Sequence, residues 1–194
     1  MDAAGTRSLQ AVNETETTPT AEPPERHVDL SGAFNFRDLG GYLGADGRRV
    51  RWRTLFRADG LSRLHEEDLV VLGELGMRSV LDLRTGGEVD HGRVDADALG
   101  WRYHHLSVLS EEWEPVALPE DADAAEVLGS LYVQMLDEGA AEFAAALRLL
   151  ADADHVPAVF HCAAGKDRTG VLAALVLGLL GVDHHVIVED YSLS

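Results

Sequence analysis

The single cysteine of this chain, Cys162, stands four residues before its single lysine, Lys166, and six before Arg168. A thiol, an ammonium and a guanidinium so close together suit chemistry on an anion. The stretch His161, Cys162, Ala163, Ala164, Gly165, Lys166, Asp167, Arg168, Thr169, Gly170 follows a short apolar run and leads into a longer one. Residues Ala163 to Arg168 are mostly small or polar. Their backbone N–H groups are therefore expected to curl around one phosphate, with a helix N-terminus adding its positive dipole end.

The same donors stabilise a thiolate. A free cysteine titrates near ~8.5, and a helix N-terminus with adjacent cations brings that into the range of roughly 3.5 to 7.5, so Cys162 is expected to be a nucleophile at neutral pH. Arg168 is placed to bind two phosphate oxygens with its planar fork. Thr169 is expected to donate a hydroxyl hydrogen bond to the sulfur and ease its departure, while His161, on the strand before the cysteine, holds the loop by hydrogen bonds. A lone cysteine is more often an inert small hydrophobe. Here two cations at the mouth of an apolar helix oppose the helix dipole unless an anion sits there, and an inert cysteine does not account for them.

Expelling an alkoxide or phenoxide requires a proton donor. Asp82 is the first choice, because it ends a predicted strand parallel to the one feeding the loop, and such strand ends share one functional edge. Asp167, inside the loop, is the second choice, although a carboxylate there also reads as a helix cap or an ion partner of Arg168 or Arg84. The acidic segment Glu111 to Asp123 is the third. Arg37 and Asp38 are expected to form a buried or half-buried pair that fastens the N-terminal region.

The elements that must position these groups follow from periodicity. Glu66 to Leu75 reads as a helix ended by Gly76. Ser79 to Leu83, Trp101 to Leu106 and Ala158 to Phe160 read as strands, and Gly-punctuated pieces such as Val50 to Phe56 as hairpins or a ribbon at one edge. Ala125 to Leu136, Ala140 to Ala151 and Thr169 to Leu180 read as helices, with Asp183 a candidate N-cap for a last one. Alternating strands and helices predict an α/β fold whose central, mostly parallel sheet is flanked by helices. Residues 1–27, polar and Pro-bearing, read as a disordered tail before a domain over 28–194.

The formal net charge is -18, which argues against nucleic-acid or anionic-membrane surfaces unless a local basic patch overrides it. No run is long and apolar enough for a transmembrane helix, and the N-terminus lacks a secretory pattern. A lone cysteine forms no internal disulfide, so a cytoplasmic protein is expected, with signal-independent export left open. The histidine pairs His104 with His105 and His184 with His185 are adjacent rather than helically spaced, so no metal site is expected, nor is any cofactor.

The loop resembles the signature of the protein tyrosine phosphatase superfamily: His, Cys, five residues, Arg, then Ser or Thr. Its lysine and aspartate, with Thr169 and Gly170, resemble more narrowly a bacterial group of tyrosine and phosphoinositide phosphatases. Asn35, Phe36, Arg37, Asp38, Leu39, Gly40, Gly41 and Tyr42, then Leu55, Phe56 and Arg57, then Leu81, Asp82, Leu83 and Arg84, occur in the order that group shows. The resemblance implies hydrolysis of phosphotyrosine or other phosphate monoesters through a phosphocysteine intermediate, with dual specificity as a variant. Lys166 resembles a second phosphate anchor of lipid-directed relatives, which makes a phosphoinositide the alternative substrate. Members of the group usually continue with further helices, so the domain is expected to be incomplete at its C-terminus. Two other readings are a phosphate-binding module without turnover and rhodanese-like sulfur transfer, to which Arg168, Thr169 and Gly170 are less suited.

Overall fold

In the computed structural model, which describes residues 25–111 and 123–194, four four-residue strands lie parallel and set the frame for the loop. They are β2 (Leu55–Ala58), β3 (Ser79–Asp82), β4 (Arg102–His105) and β5 (Ala158–His161). With β1 (Arg37–Asp38) antiparallel at the edge, the sheet runs β1-β2-β5-β3-β4. Every residue of β2, β3 and β5 is buried, as expected when helices cover both faces of a parallel sheet.

Side chains alternate between two cores. Leu55, Leu81 and Phe160 pack with Met135, Phe143, Leu172 and Leu177 on one face. Phe56, Val80 and Val159 pack with Phe36, Leu72 and Trp101 on the other. The first face carries α3 (Ala124–Glu138), α4 (Ala140–Ala151) and α5 (Asp167–Leu179), and the second carries α1 (Glu66–Glu74). Gly76 at φ +66° follows α1, where a side chain would be strained, so the helix stops and the chain turns into β3.

Two helices have clear local causes. In α2 (Gly86–Asp90) the Thr85 hydroxyl accepts from the Glu88 N–H, and the Glu88 carboxylate accepts from the Thr85 N–H, which is a capping box. In α6 (His184–Ser192) the expected cap forms, the Asp183 carboxylate accepting from the His185 N–H at 2.9 Å. Arg26 donates to the Asp38 carbonyl at 2.6 Å and His27 bridges Arg37, so both belong to the fold, while residues 1–24 lie outside the description.

The parallel register places Ala58, His161, Asp82 and His105 side by side at the C-terminal ends of their strands. This is the edge at which ligands of open α/β sheets bind.

Candidate active site

The loop Cys162 to Lys166 leaves β5 at that edge and enters α5. Its carbonyls are held from outside. The Gly60 N–H donates to the Ala163 carbonyl at 2.9 Å, and Asn35 Nδ2 donates to those of Ala164 and Gly165 at 3.3 and 3.1 Å. Arg57 Nη2 donates to the Gly165 carbonyl at 2.9 Å. In a planar trans peptide the N–H points opposite to the C=O, so the amides of Ala164, Gly165 and Lys166 face into the loop. Those of Asp167 and Arg168 are free because they open a helix. Among the described residues none of these amides donates to a protein acceptor. Gly165 is required here: its φ is +68°, and a Cβ would meet the Ala58 carbonyl oxygen at 2.5 Å.

Cys162 lies at the base of the cradle, 2% exposed and unpaired. His161 is fully buried behind it, with Nδ1 3.2 Å from the Cys162 carbonyl. Burial lowers the His161 pKa, so the ring is neutral at pH 7 and suits loop support. The Thr169 hydroxyl is buried with no hydrogen-bond partner, so the bond to the sulfur expected from sequence is not made in this structure. Ala163, Ala164 and Lys166 are exposed at the mouth.

Arg168 is aimed by a residue the sequence reading missed. Its Nη1 and Nη2 meet Glu88 Oε2 and Oε1 at 2.5 and 2.8 Å, a bidentate pair that fixes the plane of the guanidinium. Burial opposes the charge of Glu88, but the Arg168 hydrogen bonds and the Thr85 N–H outweigh it, and the carboxyl titrates below its ordinary range. The signal was legible as the sequence Thr85, Gly86, Gly87, Glu88, a capping-box pattern directly after a strand.

Asp82, the first choice of proton donor from sequence, is unsuited to that role. It is wholly buried and doubly bonded to Arg84, Nε to Oδ1 at 2.9 Å and Nη2 to Oδ2 at 2.6 Å. The Tyr103 hydroxyl also donates to Oδ2 at 2.9 Å. Burial alone would raise its pKa, but the Arg84 hydrogen bonds prevail and bring it down to about 2. A group ionised at every working pH has no proton to give. The competing role, in which Asp82 orients Arg84 at the end of the strand, is the one its hydrogen bonds fit.

Asp167 has the opposite setting. It is half-buried in the first turn of α5, and its Oδ1 accepts from the hydroxyl of Tyr132 on α3 and, at 3.4 Å, from that of Tyr191 on α6. The two hydroxyls are 2.5 Å apart. The structure thus brings Asp167 together with Cys162 and Arg168 in one loop. The third candidate region falls largely outside the described residues; of its ends, Glu111 is exposed and Asp123 caps α3.

Arg37 and Asp38 do not pair, because neighbours along a strand point to opposite sides. Asp38 accepts from the Gly40 and Arg53 N–H groups, both at 2.7 Å, while Arg37 reaches Asp190 on α6. A cleft of about 440 Å³ beside Arg48, Arg49 and Arg51 lies at the start of β2 and is lined by no loop residue. No cluster of three or more His, Cys, Asp or Glu that could hold a metal occurs among the described residues.

A strand-fed anion loop with cysteine at its base and arginine at its end defines a class of phosphate-handling enzymes, and comparison with known proteins agrees. A model described as the tyrosine phosphatase family matches residues 28–194. A protein of Cupriavidus necator named as a tyrosine-protein phosphatase is 34% identical over 202 residues, covering 97% of this chain and 70% of that protein. A tyrosine-protein phosphatase of Nostoc commune is 33% identical over 139 residues, 71% of this chain and 47% of that one. The triple specificity protein phosphatase PtpB of Mycobacterium tuberculosis is 33% identical over 193 residues, 86% and 68% of the two chains. The chain belongs to the tyrosine phosphatase family. It is a phosphatase acting on phosphate monoesters.

Proposed function

We propose that Cys162 carries the reaction through a phosphocysteine intermediate, with Asp167 as the proton donor. The thiolate attacks phosphorus, an S–P bond forms as the ester P–O bond breaks, and Asp167 passes its proton to the leaving oxygen. Asp167, now a carboxylate, then takes a proton from water, whose oxygen attacks phosphorus. The S–P bond breaks and inorganic phosphate leaves, restoring thiolate and acid. Throughout, the amides from Ala164 to Arg168 and the Arg168 fork hold the three phosphoryl oxygens, where preorganised donors matter most. The observation that carries this reading is the set of carbonyls turned outward by Gly60, Asn35 and Arg57, which leaves the facing amides free for an anion.

Phosphotyrosine in protein substrates is the leading substrate. A second reading adds phosphoinositides: Lys166 is exposed beside the loop with no carboxylate partner among the described residues, which suits a substrate with an additional anionic group. The reactive thiol fits a reducing compartment such as the cytoplasm, and no helix among the described residues is long and apolar enough to cross a membrane.

Phosphotyrosine peptides and phosphoinositide vesicles assayed side by side test the substrate. Brief exposure to substrate followed by peptide mass analysis tests the intermediate. The expected result is one phosphoryl group on the peptide holding Cys162, and neither label nor turnover in Cys162→Ser, which still binds phosphate. Turnover by Cys162→Ser within a few-fold of wild type removes the covalent mechanism.

A further inference from the structure

Behind the loop, Arg57 belongs to a charge cluster whose other members, Arg37 and Asp190, the reaction above does not use. Arg57, fully buried, donates from Nη1 to Asp190 Oδ2 at 2.6 Å and from Nη2 to the Gly165 carbonyl and to Ser194 Oγ, at 2.9 and 3.0 Å. Arg37, 3% exposed, donates from Nη2 to the Asp190 carbonyl at 2.9 Å and to Ser194 Oγ at 2.7 Å. Its Nη1 donates to Asn35 Oδ1, and Asn35 Nδ2 is the group that holds the Ala164 and Gly165 carbonyls. The Asp190 carboxylate also accepts from the Tyr42 hydroxyl at 2.9 Å. Gly170 permits the close approach of α6, since a Cβ there would meet the Tyr191 ring at 2.8 Å.

The charges do not balance. Two buried guanidinium groups share one carboxylate, and among the described residues no other acidic side chain lies within 4.0 Å of either and the Nε of neither arginine makes a hydrogen bond, that of Arg37 lying 3.6 Å from Asp190 Oδ1. An arrangement built only for stability would match its charges, because a surplus buried charge is costly. A surplus positive charge one peptide group behind an anion loop is favourable when the loop is occupied.

Resting on the phosphate-loop reading above, we propose that Arg57 and Asn35 are positioning residues that turn the loop amides toward the substrate phosphate. Asp190 on α6 holds them in place, so that docking of α6 and binding of phosphate are energetically coupled. The route is continuous: Asp190 fixes both arginines, Arg57 grips the Gly165 carbonyl directly, and Arg37 orients the amide of Asn35. Thermodynamic reciprocity then requires bound phosphate to tighten α6 by as much as α6 improves phosphate binding.

The test is titration calorimetry with inorganic phosphate and hydrogen exchange of the α6 amides, on wild type, Asn35→Ala, Arg57→Met and Asp190→Asn. In wild type, phosphate should slow exchange in α6. Each variant should bind phosphate about 5- to 100-fold more weakly, and the response of α6 exchange to phosphate should shrink in Asn35→Ala and vanish in the two charge variants. Asn35→Ala removes a clamp without unpairing a buried charge, so it decides the matter if the charge variants do not fold. Folded variants with lowered melting temperature, unchanged phosphate affinity and wild-type exchange response would overturn the proposal and leave the cluster a purely structural one. Failure of wild type itself to bind phosphate would instead defeat the phosphate-loop reading on which it rests.

Discussion

Asp82 and Asp167 are two carboxylates at the same edge of the sheet with opposite surroundings. Asp82 ends β3, is sealed from solvent and has its oxygens taken by Arg84 and Tyr103. Asp167 opens α5, is half-buried and is touched by two tyrosine hydroxyls, and among the described residues no cation is bonded to it. Both satisfy the topological rule that strand ends gather at the functional edge. The difference teaches that topology selects candidates for acid chemistry and that counter-ions choose among them.

Four substitutions separate the groups that do chemistry at this edge from those that hold it together. The largest effect is expected from Arg168→Lys, with turnover of an aryl phosphate falling about 10²- to 10³-fold because a point charge does not reproduce the fork aimed by Glu88. Steady-state kinetics on the purified variant check it, and near-normal turnover would mean that the loop is not used as described. Asp167→Asn should lower turnover of alkyl phosphates about 10²-fold and that of aryl phosphates with stable leaving anions much less.

Asp82→Asn should act on the fold instead, costing about 3 kcal/mol in denaturant unfolding because Arg84 is left buried without its counter-charge. The sign with pH follows from its depressed pKa of about 2. The stability that Asp82 provides is fully present above its unfolded value near ~3.9 and is lost as pH falls through about 2. In the variant this part of the acid-unfolding curve should be missing; an unchanged curve would show that the pair contributes nothing. The smallest effect is expected from Glu88→Gln. It keeps the shape but not the charge opposite Arg168, and should cost about tenfold in kcat/KM, measurable on the same substrates.

The loop was legible because its chemistry is contiguous. Cys162 through Gly170 carries nucleophile, cations and helix start in one run, and the small residues that let backbone approach an anion stand between them. Strands β3 and β5 were legible for a similar reason, since buried parallel strands such as Val159 and Phe160 are continuous apolar runs, but Val50 to Phe56, read as hairpins or an edge ribbon, instead leads into β2, a parallel strand inside the sheet. Helix α2 was missed because five residues, Gly86 to Asp90, are too short to show apolar periodicity, although the capping box at Thr85 and Glu88 was there to read. The partners of Arg37 and Arg57 were beyond reach of sequence for a different reason. Asp190 lies 133 positions from Arg57, and only the packing of α6 on α5 brings it to that arginine.

The source of the proton separates the two carboxylates. Turnover should be measured for a series of phosphate monoesters spanning alkyl to nitrophenyl leaving groups, with wild type, Asp167→Asn and Asp82→Asn. The expected result is a steep dependence on leaving-group pKa for Asp167→Asn, together with loss of the basic limb of its pH–rate profile. Asp82→Asn should run parallel to wild type in both measurements. A leaving-group dependence that steepens in Asp82→Asn and not in Asp167→Asn would contradict the assignment and place the acid at the end of β3.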